Sequence, residues 1–224
     1  MKIKFLGTGA ADWSFEHDRD VEGFRRFSSA LIDEVLLIDP GPHVLDAMSQ
    51  FGSDPDNILY ILNTHKHGDH YNEDTVKALK NANLIHISDG ETVTFGGYKV
   101  CGYKGHHGTA EDTIHFIISD VDKRVYYGLD SAWIMYKEVQ GIKECGVDFA
   151  VIDATLGDVE GDYRIFEHNN LPMVREMKKS LEPHIKRFCI SHMAKGTHLP
   201  HKDLAALMAK DNIEVAYDGY ETEI

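Results

Sequence analysis

Residues 58–70 read ILYILNTHKHGDH: five apolar or aromatic residues, a polar pair, and then His65, His67, Asp69 and His70 inside six positions. An unbroken apolar run closed by polar residues is the pattern of a strand buried on both faces. Residues i and i+2 face the same side where a strand ends, so His65 and His67 can ligate one cation together. The turn at Gly68 lets Asp69 and His70 swing toward a second. Imidazole nitrogen with carboxylate oxygen suits zinc, manganese or iron. The bland alternative is a solvated polar loop, and four potential ligands in six positions weigh against it.

Working outward, period-two runs rich in β-branched and aromatic residues predict ten strands, at 2–6, 30–38, 58–62, 84–87, 92–102, 113–119, 124–128, 149–152, 187–190 and 213–217. Helical periodicity falls between them at 42–51, 73–81 behind an Asn72 cap, 134–144, 171–181 and 201–209. About ten strands strain a single open twisted sheet, so the reading is α/β, a four-layer αββα sandwich of two mixed β-sheets with helices on both outer faces. No linker or fixed-period repeat divides the chain, and residues 1–224 are expected to form a single domain. Gly7-Thr8-Gly9 lacks the third glycine of a dinucleotide fingerprint and the lysine of a P-loop, and reads as a turn.

Composition bounds the function. The 224 residues carry a net charge of −14, with 42% hydrophobic and 27% charged residues. This is an ordinary globular composition, and its acidity argues against nucleic acid or anionic lipid as a non-specific partner. No apolar run reaches the roughly 18 residues of a membrane span. The three cysteines show no paired spacing, so a reducing, cytoplasmic setting is expected, with no membrane partner and a homodimer allowed. What stands out is 14 histidines.

The H-x-H-x-D-H spacing resembles the signature of the metallo-β-lactamase-fold hydrolases, and the resemblance extends over the whole chain. LLIDPG at 36–41 is similar to that family's early strand-turn element, KGHH at 104–107 to its third-histidine motif, Asp130 in YYGLDS to its bridging aspartate, and His192 in FCISH to its last ligand. The resemblance implies two divalent metal ions, zinc or manganese, with iron admitted. His65, His67 and His107 would hold one and Asp69, His70 and His192 the other, with Asp130 shared. His106 competes with His107 for its role, and Asp130 has a second reading as a helix N-cap. Asp39 is expected to orient the ligand loop by hydrogen bonds without binding metal.

Within the family, the segments around 149–155 and 167–171 and the ending VAYDGYETEI are similar to a phosphodiesterase branch that includes the phosphoribosyl cyclic phosphodiesterase. That likeness implies a small anionic substrate, a hydroxide shared by the two ions as nucleophile, and catalytic roles for Asp69 and for His168, the latter at the scissile phosphate. A capping or surface role is the alternative for His168. Two departures limit the likeness: residues 8–30 hold no cysteine for a structural metal, and Lys195 stands where that enzyme has a second histidine. Arg25 and Arg26 are candidates for clamping a further anionic group on the substrate, or else solvated neighbours of Phe24 and Phe27. Trp13, Phe15, Trp133 and Tyr136 line a pocket or fill the core. A lactone or thioester hydrolase on the same metals is the alternative function, and a di-iron redox or sensing protein the alternative from another class.

Overall fold

A computed structural model describes residues 1–224, which divide into two compact units, residues 1–86 with 216–224, and residues 87–215. The first contains β1 (Lys2–Gly7), α1 (Phe15–Asp18), β2 (Ser29–Ile32), β3 (Leu36–Ile38), α2 (Val44–Gln50), β4 (Tyr60–Leu62), α3 (Glu73–Ala78) and β5 (Asn83–Leu84). The second contains β6 (Thr92–Phe95), β7 (Tyr98–Lys104), β8 (Ile114–Ser119), β9 (Arg124–Gly128), α4 (Tyr136–Cys145), β10 (Val147–Asp153), α5 (Leu171–Leu181), β11 (Ile185–Ser191), α6 (His201–Met208) and β12 (Ile213–Val215). The last strand, β13 (Glu221–Glu223), belongs to the first unit.

The first unit is a six-stranded mixed sheet in the order β13-β1-β2-β3-β4-β5. Its antiparallel part runs from β13 to β3, and β3, β4 and β5 are parallel, with Ile38 level with Leu62. Leu31, Leu37, Ile58, Ile61, Val44 and Met48 form its core. Removing such side chains from water stabilises by about 1.5–3 kcal/mol each. Gly7-Thr8-Gly9 is not a turn: Gly7 ends β1, and a Cβ there would lie 1.9 Å from the Phe27 carbonyl oxygen, so only glycine permits that close approach.

The second unit is a seven-stranded mixed sheet in the order β12-β11-β10-β9-β8-β7-β6. Strands β9 to β12 are parallel and β6 to β9 antiparallel. Register sets Ile152 of β10 against Gly128 of β9 and Asp153 against Ser191 of β11, so the segments leaving three parallel strands emerge side by side. Helix α5 starts behind Asn170, whose Oδ1 accepts the Met173 N–H at 3.0 Å, and has Pro172 in its first turn. It buries Leu171, Val174, Met177 and Leu181, the spacing of one helical face, in that unit's core. No helix in the chain is long and apolar enough to cross a membrane.

Two expected strands are each a hairpin. The 30–38 run breaks at Asp33 and Glu34, whose φ angles of 50° and 60° turn the chain between β2 and β3, and the 92–102 run breaks at Gly96-Gly97 between β6 and β7. Helix α1 and strand β13 were not anticipated.

A buried polar cluster lies in the second unit. The His115 Nδ1 is 2.6 Å from Glu138 Oε1, the Tyr126 hydroxyl donates to the same oxygen at 2.7 Å, and Glu138 Oε2 accepts the Met135 N–H at the start of α4. Burial alone would lower the imidazole pKa, but the Glu138 carboxylate and the Leu129 backbone outweigh it and hold it above the ordinary value. A raised folded-state pKa stabilises fully below the unfolded value near 6.5 and loses that contribution as pH rises through the folded value. Wild-type protein is therefore expected to lose stability above about pH 6.5 relative to Glu138→Gln, and the variant to be less stable by roughly 2–4 kcal/mol near pH 6. Urea titrations of both proteins at several pH values check this. Parallel pH curves would remove His115–Glu138 as the cause.

Candidate metal centre

In the first unit the site begins with two parallel strands. β3 is followed by Asp39 and β4 by Asn63-Thr64, and the Asp39 N–H donates to the Leu62 carbonyl at 2.9 Å, which brings the two strand ends together. Asp39 is fully buried with φ 58°. Its Oδ1 accepts from the Thr64 N–H at 2.7 Å, the Thr64 hydroxyl at 2.9 Å and the Asn63 amide at 3.3 Å, and its Oδ2 lies 2.9 Å from His70 Nδ1. A carboxylate on Nδ1 fixes a histidine with its proton there and turns the Nε2 lone pair outward, as metal-binding histidines require. That Nε2 lies 3.3 Å from Asp69 Oδ2. The His65 ring centroid is 4.5 Å from that of His67 and 4.4 Å from that of His70. A Cβ on Gly41 would stand 2.2 Å from the Asp69 carbonyl oxygen, so the glycine of LLIDPG is what lets the 65–70 loop close over this turn.

The second unit has its own cluster of candidate ligands, where the chain leaves β7, β9, β10 and β11. His107 is buried, with Nε2 3.4 Å from Asp130 Oδ2, whereas His106 is exposed and contributes its backbone, accepting from Ala132 N–H and donating to the Ser131 hydroxyl. Asp153, at the end of β10, has its Oδ2 3.1 Å from His192 Nδ1 and 3.5 Å from His168 Nδ1. The Thr155 hydroxyl lies 2.7 Å from His192 Nδ1 and donates to Asp153 Oδ2 at 2.8 Å. Asp153 also accepts the Thr155 and Asn169 N–H groups on Oδ1. Burial works to raise its pKa, but hydrogen bonds with His168 and His192 prevail and hold the carboxyl well below its usual range. The ligand atoms of Asp130, Asp153, His168 and His192 lie within 4.8 Å of one another.

His168 joins this group through Nδ1, 3.1 Å from Asp130 Oδ1 and 3.3 Å from the Thr155 hydroxyl. Burial acts to lower its pKa, but hydrogen bonds with Asp130 and Asp153 outweigh that and raise it to about 10. The neighbouring Glu167 places a carboxylate oxygen within 4.8 Å of ring nitrogens of His107 and His168. Sequence reading passed over Asp153, Thr155 and Glu167. Asp153 carried the same signal as Asp39, an acid closing an apolar strand.

The arginines are engaged inside the first unit. The buried Arg25 guanidinium donates to the Thr8 hydroxyl at 2.6 Å and to the Ala216 carbonyl at 3.0 Å. Arg26 donates from Nη2 to Asp46 and Gln50, and its guanidinium lies over the rings of Phe15, Phe24 and Phe51. Trp13 is buried, whereas Trp133 and Tyr136 are exposed.

The donor chemistry fits divalent cations. In each unit an imidazole has its Nδ1 against a buried carboxylate, His70 on Asp39 and His192 on Asp153, with Nε2 as the remaining ligand atom. Asp39, Asp130 and His192 all adopt positive φ, at 58°, 55° and 60°. Non-glycine residues held in this region cost on the order of 1 kcal/mol or more each and concentrate at functional sites.

The sequence profile of the metallo-beta-lactamase superfamily matches residues 28–72, the stretch that carries Asp39 and the H-x-H-x-D-H residues. No curated protein sequence matches the chain. Among solved structures, zinc-bound PqqB from Methylobacterium extorquens superposes with a TM-score of 0.78 at 16% identity, covering 100% of both chains. A diphosphatase of the PhnP family superposes with a TM-score of 0.73 at 18% identity, covering 100% of this chain and 97% of its own. The short form of human tRNase Z, ELAC1, reaches 0.72 at 16% identity over 100% and 99%. With two mixed sheets and their helices matched along its whole length, the chain has the metallo-β-lactamase fold.

Proposed function

We propose that this chain is a dinuclear metal-dependent hydrolase of small phosphodiesters, residues 1–224 acting as one domain in the reducing cytoplasm. The observation that carries the reading is His168, a partly exposed imidazole whose Nδ1 is held between Asp130 and Asp153. Two of the structural relatives support the substrate class, being named a diphosphatase and a tRNase.

His65, His67 and His107 would hold one ion and Asp69, His70 and His192 the other, with Asp130 shared between them. Two ions of zinc, manganese or iron, when bound, acidify water to a pKa near roughly 7 and polarise the phosphoryl oxygen. The chain's own groups do the rest. Asp39 and Asp153 keep His70 and His192 in one tautomer and orientation, and Asp69 accepts the proton of the attacking water through its carboxylate. His168 carries a proton on Nε2 to the departing oxygen while Asp153 stabilises the charged ring. A positioned acid of this kind typically contributes 10²- to 10⁴-fold.

Asp130→Ala removes the shared ligand, so purified variant protein is expected to lose metal and turnover together by elemental analysis and assay. Two ions per chain in the variant would refute the shared role. Metal-loaded wild type tested on bis-p-nitrophenyl phosphate, cyclic nucleotides, ribose cyclic phosphates and lactones decides the substrate class. Lactone turnover without phosphodiester turnover would transfer the site to carboxyl chemistry.

His168→Ala should keep its metal and lose about 10²-fold or more in kcat/KM on alkyl phosphodiesters. The loss should shrink on p-nitrophenyl esters, whose leaving group departs without a proton. Equal rates on the alkyl ester would take His168 out of the reaction.

A further inference from the structure

His168 and Asp130 belong to two loops of the second unit that are tied to one another. Asn169 Oδ1 accepts the Trp133 N–H at 2.7 Å, and the Asn169 amide donates to the Ser131 carbonyl at 3.1 Å. Both loops display large apolar side chains to solvent: Trp133 is 44% exposed, Tyr163 82% and Phe166 69%. Large apolar side chains gain by burial, so three of them exposed on two tied loops mark a surface able to take up an apolar group. The charge on the same loops is one-sided. Residues 131–136 carry none, and residues 156–168 carry Asp158, Glu160, Asp162 and Glu167 against Arg164 and His168. Both cations are spoken for, since the Arg164 Nε and Nη2 fork onto Asp162 at 2.7–3.1 Å and the His168 Nδ1 faces Asp130 and Asp153.

Glu167 is the acid nearest the chemistry. Thr109 donates to its Oε2 at 3.4 Å, and its carboxylate comes within 4.8 Å of ring nitrogens of His107 and His168. A ligand group that reaches past His168 therefore meets the Glu167 carboxylate, on loops that expose Phe166, Tyr163 and Trp133. Such a surface attracts an uncharged aryl group and repels a second phosphate or carboxylate.

We propose that the loops 131–136 and 156–168 take up an uncharged, aromatic or otherwise apolar leaving group and exclude a second anionic group, with Glu167 as the discriminating residue. The proposal rests on the hydrolase reading for the words "leaving group" and narrows its substrate class: a ribose bearing a further phosphate is disfavoured on this side, and an aryl or nucleoside-like group is favoured.

Two non-cleavable probes test it, the methyl monoesters of p-carbamoylbenzyl- and p-carboxybenzylphosphonate, which differ only in the charge of the distal group. Calorimetry on metal-loaded wild type should give about tenfold tighter binding of the carbamoyl probe, the order expected for one like charge at a half-exposed site. Glu167→Gln should bring the two within about threefold by strengthening the carboxy probe, with metal content and melting temperature unchanged. Phe166→Ala should weaken the carbamoyl probe alone. Equal binding by wild type, no binding of either probe, or an unchanged ratio in Glu167→Gln would overturn the proposal. So would loss of metal in that variant, which would make Glu167 a ligand beside His107 and His168. The matching aryl methyl phosphates, which can be cleaved, separate the two readings. Selective binding of the probes without turnover of the phosphates retires the phosphodiesterase and keeps the binding surface.

Discussion

A carboxylate gripping the Nδ1 of an imidazole recurs at Asp39–His70 and at Asp153–His192, and the loops around both pairs are organised by it. An ionised carboxylate with no exposed surface is tolerated only when its lone pairs are filled. Asp39 fills its own with the backbone and hydroxyl of Thr64 and the amide of Asn63, and Asp153 with the backbone and hydroxyl of Thr155 and the backbone of Asn169. The acid thus fixes the backbone that follows its neighbouring strand as well as the ring. Replacing either one would leave a set of buried donors without an acceptor, a larger disturbance than loss of one hydrogen bond.

Parallel strands give these acids their places. Asp39 follows β3, Asp130 follows β9, Asp153 ends β10 and His192 follows β11, each at the carboxyl end of a strand in a parallel pairing. Chains leaving adjacent parallel strands have to diverge, and that is where open α/β sheets collect polar groups. The positive φ of Asp39, Asp130 and His192 marks how sharply the chain turns there. Asp is among the residues that adopt this conformation most readily, and histidine is also enriched in it.

Much of this was legible in the sequence because the signals were local. The apolar runs of β1, β9, β10 and β11 carry strand patterning, and 171–181 carries the periodicity of the helix it forms. The histidine- and aspartate-rich stretch 65–70 is contiguous, so its clustering needed no tertiary information. Strand β13 was hidden because its sequence, Glu-Thr-Glu, carries no apolar alternation; an edge strand paired on one side only need not have one. Asp153 is not legible as a site residue from local sequence, since its partners His168 and His192 lie 15 and 39 positions along the chain. Arg25 and Arg26 read equally as a clamp for an anionic group and as a solvated pair, because nothing local shows that Asp218, 192 residues beyond Arg26, accepts its backbone N–H, or that Ala216 accepts from Arg25.

The pairing of β1 with β13 bears on how the molecule is made. The second unit is one uninterrupted segment, 87–215, whereas the first is assembled from residues 1–86 and 216–224. During synthesis from the amino terminus, β1 lacks its β13 partner until residues 221–223 leave the ribosome and cover that edge. The second unit can collapse while the first is still incomplete. An unprotected β1 edge is thus a feature of the nascent chain and not of the finished fold, and the burden of guarding it falls on whatever shields emerging polypeptide in the cell.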